Sequence, residues 1–199
     1  NYQKLFSGYD YAVKNTLGEK QIKYGDSIIT TAVKLKDNDQ IGEAFISLAQ
    51  TYIANEQYKD ALDQTLTGYD YFKINNNPYL VNTAKRSIAT IKTYLEDYYD
   101  AKKLNTECLL FFREHKEKIK GTDYTLYYLH SLIALINNNT HLKDFKDNPK
   151  LLQEGIAFVS GHKDYKDYLP YLISSQGLDA YFRQDYSEAV RYFTRSLSL

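Results

Sequence analysis

The sequence of 199 residues contains one cysteine and no methionine. A single cysteine, Cys108, excludes a scaffold stabilised by internal disulfides. It lies in the apolar run CLLFF, and this context indicates a buried structural thiol rather than a reactive one. Because the chain begins at Asn1 and lacks methionine, we expect it to be a processed or excised piece of a longer protein.

Net charge is also absent, because 25 Lys and Arg balance 25 Asp and Glu. A nucleic-acid-binding face needs a surplus of cations, so we expect no direct nucleic-acid binding by this segment. No run approaches the roughly 20 apolar residues of a membrane-spanning helix. The lack of disulfides slightly favours the cytoplasm, although an extracytoplasmic sensor segment with few cysteines would have the same composition.

Sequence motifs of catalysis are missing. The four histidines, His115, His130, His141 and His162, do not fall at metal-ligand spacing. The sequence has no Gly-rich phosphate loop, no GxSxG and no HExxH. We therefore predict no enzyme, no metal site and no cofactor. His130 lies within an apolar helix, where a core or groove histidine is the better interpretation and a buried switch the alternative.

Three segments share one spacing, and the clearest is FISLAQTYIANEQYKDALDQTLTG at 45–68. In each segment a small residue precedes an alanine by twelve positions, and a tyrosine precedes that alanine by three. Two helices cross closely where both offer small residues and where a neighbouring ring fills the gap. The pattern therefore predicts helical hairpins. The small residues pair as Ala49 with Ala61, Ala89 with Ala101, and Gly177 with Ala189.

This pattern resembles the tetratricopeptide repeat family, a helix-turn-helix unit with large, small, Tyr, Ala and Phe positions. The copies depart from the family pattern, since Ala49 stands in for Gly and Ala180 for Tyr. Ala61 and Ala101 are 40 residues apart, whereas 34 is typical. The resemblance implies an all-α fold, a right-handed solenoid of about five antiparallel hairpins, and we treat residues 1–199 as one domain.

Periodicity and turn residues predict ten helices. Two asparagine triplets, 75–77 and 137–139, are interpreted as helix ends, and 140–147 is the longest predicted connection. Asn138-x-Thr140 matches a glycosylation acceptor and is interpreted as chance. The predicted ranges are 2–14, 19–36, 40–55, 58–74, 78–96, 98–119, 123–138, 148–160, 167–183 and 185–199.

In the family, ligands usually lie along a concave face lined by the first helix of each hairpin. The resemblance therefore implies a binding face, with the assignment of Tyr128 depending on the register of its helix. The chaperone-binding members carry a Lys and Asn clamp, and only Arg86 could supply its charge here, so chaperone-tail binding is disfavoured. The implied residues are Glu43, Ile46, Gln50, Ile53, Thr83, Arg86, Thr90, Tyr94, Tyr128, Tyr171, Ser174, Leu178 and Tyr181.

The function expected from the resemblance is a non-catalytic scaffold that binds a protein or peptide. The alternative is a sensor segment of a larger transcription regulator, whose helix-turn-helix DNA-binding domain lies outside this chain. The 21 tyrosines fit an aromatic groove or the coding bias of an A/T-rich genome. The chain ends on an amphipathic helix, RYFTRSLSL, without a polar capping helix, so we expect further chain or a homodimer through this helix.

Overall fold

The computed structural model describes residues 18–115 and 124–199. The predicted helix 2–14 lies outside these ranges. Within them the chain forms nine α-helices and one short 3-10 helix, Lys163–Tyr168, and no strand. The α-helices are α1 Gly18–Leu35, α2 Asn38–Ala54, α3 Tyr58–Ile74, α4 Pro78–Tyr94, α5 Tyr98–His115, α6 Tyr124–His141, α7 Asn148–Gly161, α8 Leu169–Phe182 and α9 Tyr186–Leu197.

The chain divides into two compact units, one up to Asp97 and one from Tyr98 to Leu199. In the first unit α1 packs on α2, α2 on α3 and α3 on α4, and α2 also touches α4. In the second unit each of α5 to α8 packs on the next helix, and α6 also touches α8. The predicted all-α fold built of helical hairpins is therefore confirmed. The extent of the domain, 1–199, stays a prediction.

Helices α2 to α5 begin at a constant interval of 20 residues, at Asn38, Tyr58, Pro78 and Tyr98. Three residues join each of these helices to the next, and the middle one has a positive φ, as at Glu56 (60°), Asn76 (51°) and Glu96 (62°). The N–H of the third residue donates to a carbonyl five residues earlier, which satisfies the helix end. Two such helices make a 40-residue hairpin.

Short polar side chains begin several helices. Asp37 Oδ1 accepts from the N–H groups of Asp39 and Gln40 at the start of α2, at 3.1 and 3.2 Å. Asn77 and Asp185 cap α4 and α9 in the same way. These caps satisfy N–H groups that have no partner within the helix. Pro78 occupies the first turn of α4, where its missing N–H costs nothing.

The α2–α3 crossing is the closest packing of the first unit. Ala49 and Ala61, the predicted contact pair, are both fully buried. Seven residues away on each helix lies a second small pair, Gly42 and Gly68, and a Cβ on Gly68 would come within 2.8 Å of the Gly42 carbonyl oxygen. Phe72, 1% exposed, lies over Gly42. The helices meet along two turns lined by small residues.

The α8–α9 hairpin uses the same arrangement in the second unit. The Phe193 ring covers Gly177, and a Cβ there would lie 2.7 Å from Phe193 Cε1. Ala189 is 3% exposed. A ring thus fills the gap beside the small residues at this crossing, as the repeat spacing predicted.

The repeat tyrosines each contact a ring from another helix. Tyr58 stacks on Tyr94 with centroids 4.9 Å apart, and Tyr186 meets Tyr181 edge to face at 5.7 Å. Tyr98 stacks on His141 at 4.3 Å. The tyrosine three residues before each repeat alanine therefore ties the second helix of a hairpin to a neighbouring helix.

Helix α6 continues to His141, so the predicted helix end at Asn137–Asn139 is wrong. Asn138 is fully buried and accepts from the Asn105 amide at 2.9 Å, and Asn139, 2% exposed, donates to Asn148 at 3.0 Å. Because these amides find partners inside the unit, they do not terminate the helix. The burial of Asn138 also explains why its acceptor motif is only a chance match.

A buried polar network links α6, α7 and α8. The Asn148 amide donates to Thr140 Oγ1 and to Asp179 Oδ1, both at 3.1 Å. Asp179, 2% exposed, also accepts from Arg183 Nε at 2.9 Å. The buried Asp179 carboxylate thus has a cationic partner, Arg183, and a neutral one, Asn148. A carboxylate is costly to bury without such partners.

Candidate functional site

In the first unit, the implied site residues of α2 differ in exposure. Glu43 and Gln50 are exposed, and Ile46 is half-buried beside Gly68. Partial burial raises the pKa of Glu43, and the charges of Asp39 and Asp37 raise it further. This carboxyl therefore lies in an acidic environment at the start of the helix.

The implied residues of α4 are more engaged with the protein itself. Arg86 and Thr90 are half-buried, and the Thr90 hydroxyl donates to the Arg86 carbonyl at 3.1 Å. Tyr94 is 51% exposed and stacks on Tyr58. The exposed side chains of α2 and α4 thus offer a carboxylate, an amide and a ring, whereas Arg86 is partly buried.

In the second unit, the implied residues of α8 form an exposed stripe without charge. Tyr171, Leu178 and Tyr181 are 48%, 40% and 51% exposed, and Ser174 between them is half-buried. Asp179 is the charged residue of α8, and it points inward to Asn148 and Arg183. The outer side of α8 therefore carries rings, one leucine and a hydroxyl.

Tyr128 does not lie with these residues, because it is 7% exposed and donates to Glu154 Oε1 of α7 at 2.5 Å. Glu154 also holds Arg113 of α5 through two bonds, at 2.9 and 2.6 Å. Burial and the Glu154 contact raise the pKa of Tyr128. The three side chains join α5, α6 and α7 as an internal brace.

Tyr124, one turn earlier on α6, is 5% exposed. Its ring meets Phe112 edge to face, with centroids 5.9 Å apart. Burial raises the pKa of Tyr124 to about 12, opposed by the nearby Arg113 charge. Both tyrosines therefore belong to the interior of the unit.

The opposite side of α6 faces solvent and lies beside α8. Nine residues, about two and a half turns, separate Tyr128 from Asn137, which places Asn137 on the far side of the helix. Asn137 Nδ2 donates to Tyr171 Oη at 3.0 Å. His130 Nε2 is hydrogen-bonded to Tyr168 Oη at 2.8 Å. His141, one turn beyond Asn137, is exposed and stacks on Tyr98.

These contacts define one surface of the second unit, which we name the α6–α8 face. The sequence interpretation singled out His130 but missed Asn137 and His141, whose positions seven and eleven residues after His130 place all three on one side of α6. His130 is half-buried on this face. The α6–α8 face consists of His130, Asn137, His141, Tyr168, Tyr171, Ser174, Leu178 and Tyr181.

A separate cavity of about 490 Å³ lies between α5 and the connection after α6. Lys102 and Asp144 form an ion pair at its edge, with Nζ and Oδ2 2.5 Å apart, and Lys102 lowers the pKa of Asp144. The other lining residues are Tyr99, Lys103, Thr106, Glu107 and Leu142.

The described residues do not bring together three or more His, Cys, Asp or Glu side chains that could hold a metal ion. Cys108 is fully buried. Across ranges 18–115 and 124–199, no helix is both long and apolar enough to span a membrane. The chemistry that the α6–α8 face does offer is ring surface and neutral hydrogen-bonding groups.

No protein-family model matches this sequence. No curated protein matches it either. Among solved structures, the chain is similar to nearly identical TPR-like repeats from a Podosopora anserina protein assigned as a kinesin light chain. For a variant form of those repeats the TM-score is 0.78 at 13% identity, covering 99% of this chain and 94% of that one. A second structure of those repeats gives 0.76 at 12% identity, covering 100% and 95%.

The chain is also similar to the apo form of RapI, with a TM-score of 0.80 at 15% identity, covering 99% of this chain and 67% of RapI. Identities this low establish the fold alone. Small residues pack at the hairpin crossings, and the similar solved structures are built of TPR-like repeats. The chain has a tetratricopeptide-like helical repeat fold.

Proposed function

We propose that the chain is a non-catalytic scaffold that binds a protein or peptide. The proposed contacts lie on the α6–α8 face of the second unit and, separately, on the outer sides of α2 and α4 in the first unit. The likeness to TPR-like repeats supports this role. The observation that carries the proposal is the α6–α8 face, a surface of exposed and half-buried side chains that contains no Asp, Glu, Lys or Arg. A solvated helix face is normally rich in charged residues, so an uncharged one needs a reason.

The exposed side chains of this face can supply useful binding energy. Tyr171, Leu178 and Tyr181 keep roughly half of their surface in water. Covering about 100 Å² on each would contribute roughly 2–3 kcal/mol per residue. Large aromatic residues are also typical anchors of protein interfaces.

The character of the face indicates the class of ligand. Neutral rings and a leucine favour apolar side chains, and the Asn137 amide and tyrosine hydroxyls provide hydrogen bonds for a peptide backbone. We therefore propose an extended peptide or a partner helix whose contacting residues are mainly uncharged. On α2 and α4, Glu43 and Arg86 remain proposed contacts for charged or polar groups.

The test is selection of peptides from a random display library against the chain, followed by affinity measurement with variants. Leu178→Glu introduces a charge into the face and should weaken the selected peptide at least about tenfold. Leu110→Glu is the matched control, since Leu110 is 49% exposed on α5 outside the face. Equal binding by both variants, with helical content unchanged, would refute the assignment of the face.

We propose as a second candidate that the chain is the sensor segment of a larger transcription regulator. The 40-residue hairpins support it, because long irregular units are typical of solenoids in such regulators. Reading the intact gene tests this candidate. A helix-turn-helix domain in the same reading frame, before Asn1 or after Leu199, would support it, and a complete gene without one would contradict it.

A further inference from the structure

Helix α9 exposes an apolar stripe on its solvent side. Tyr186, Val190 and Leu197 are 59%, 64% and 89% exposed. The patch continues onto the end of α8, because the Tyr181 ring contacts both Tyr186 and Phe182. Exposed contiguous apolar patches of this kind usually mark an interaction surface.

The stripe adjoins the side that holds α9 in place, and half-buried Phe193 lies at the border between the two. Ala189 and Phe193 pack toward α8, and the Ser196 hydroxyl donates to the Pro170 carbonyl at 2.7 Å. At about 100° per residue, Tyr186, Val190 and Leu197 lie within about 40° of one another.

The charged residues of α9, Glu188, Arg191 and Arg195, lie on the other side of the helix, about 120° or more from the centre of the stripe. Glu188 and Arg191 pair with each other there, with Nη2 and Oε2 2.7 Å apart. The stripe therefore has no charge along its length.

We propose that this stripe pairs with α9 of a second copy of the chain, in an antiparallel dimer. The apolar positions Tyr186, Val190, Phe193 and Leu197 are separated by four, three and four residues, a spacing that reads the same in both directions. Antiparallel pairing about a two-fold axis between Arg191 and Tyr192 therefore places apolar residues opposite each other. A two-fold interface requires this self-complementarity.

The register follows from that axis. Tyr186 lies opposite Leu197 of the second copy, and Val190 lies opposite the exposed edge of Phe193. The most exposed side chain, Leu197, then covers the Tyr186 and Tyr181 rings of the other copy.

The available area suits a specific but weak dimer. Taking about 200 Å² for each large apolar residue, the exposed parts of Tyr181, Phe182, Tyr186, Val190 and Leu197 amount to about 600 Å² per copy. Two copies would bury about 1,200 Å², near the lower limit of specific interfaces. We expect a dissociation constant in the micromolar range.

Sedimentation equilibrium between about 1 and 200 µM tests the association. The expected result is a monomer–dimer equilibrium that Val190→Glu weakens at least about tenfold and that Leu110→Glu leaves unchanged. A single monomeric species over the whole range would overturn the proposal. The proposal would also be overturned if a longer natural chain is monomeric and residues after Leu199 shield Val190 from solvent.

Cysteine cross-linking tests the direction of pairing. In the antiparallel dimer the two copies of residue 190 are about 4.5 Å apart along the helix axis, and the two copies of residue 197 are about 16 Å apart. Under mild oxidation Val190→Cys should therefore form disulfide-linked dimers and Leu197→Cys should not. The unchanged protein, whose one cysteine, Cys108, is buried, serves as the control for background cross-linking. Efficient linking through Leu197→Cys would refute the antiparallel register.

Discussion

Replacing Gly68 by alanine tests whether the α2–α3 crossing depends on the absence of a side chain. The added Cβ would lie 2.8 Å from the Gly42 carbonyl oxygen and 3.2 Å from two Ile46 carbons. The carbonyl belongs to the helix backbone, so relief requires the two helices to separate by several tenths of an ångström. Overpacking costs about 1–3 kcal/mol, and a contact this short with backbone falls in the upper part of that range, about 2–3 kcal/mol. Alanine also favours the helix by about 1 kcal/mol, which offsets part of this cost.

We therefore expect Gly68→Ala to destabilise the protein by about 1–2 kcal/mol, lowering its Tm by about 2–8 °C. Urea denaturation followed by circular dichroism measures the change, and hydrogen exchange should show lost protection in α2 and α3. Gly161→Ala is the matched control, because its Cβ would meet nothing within 4 Å at the end of α7. Stability of Gly68→Ala equal to or above that of the unchanged protein would refute the crossing geometry.

Two further predictions concern a turn and a buried ring. Glu96→Gly should raise the free energy of unfolding by about 1 kcal/mol, because glycine adopts the φ of 62° without strain and keeps the turn's hydrogen bonds. As a control, Gln64→Gly within α3 should lower it by about 0.5–1 kcal/mol. A loss of stability with Glu96→Gly in urea denaturation would contradict the turn conformation. The second prediction concerns pH, because the pKa of Tyr124 is about 12 in the folded chain and about 10 in the unfolded chain. Between pH 10 and 12 the unfolded chain therefore loses a proton that the folded chain retains. The free energy of unfolding should fall by about 1–3 kcal/mol as the pH rises through this range. Tyr124→Phe should flatten this dependence of the urea midpoint, and an unchanged slope would show that Tyr124 is not buried.

The hairpin geometry could be predicted because its signals are local. Polar residues and Pro78 mark the start of α4, and the predicted range 58–74 coincides with α3. In each hairpin a small residue before the turn and an alanine after it are twelve residues apart. This constant spacing was enough to predict that both residues are buried at the helix crossing. Gly42 and Gly68 were missed, although each lies seven residues from a predicted contact residue on its own helix. Extending the pattern by two turns would have found them.

The second unit was harder to predict because its decisive contacts join distant parts of the chain. Asparagine favours helix ends because its side chain can bond to nearby backbone groups, yet Asn138 bonds to Asn105, 33 residues away. Helix α6 has buried residues around much of its circumference, so periodicity could not show which side faces solvent. Local sequence therefore left the position of Tyr128 open, and only packing against Glu154 and Phe158 determines it.

The buried amides of the second unit also restrict how its helices can move. Apolar helices can slide by one turn, about 5.4 Å, and exchange one leucine contact for another at little cost. A shift of that size would separate Asn105 from Asn138 and Asn148 from Asp179, leaving buried polar groups without partners, at about 1–3 kcal/mol each. These buried polar contacts therefore fix the positions of the helices relative to one another along their axes. We expect α5 to α8 to respond to a bound partner as one rigid group.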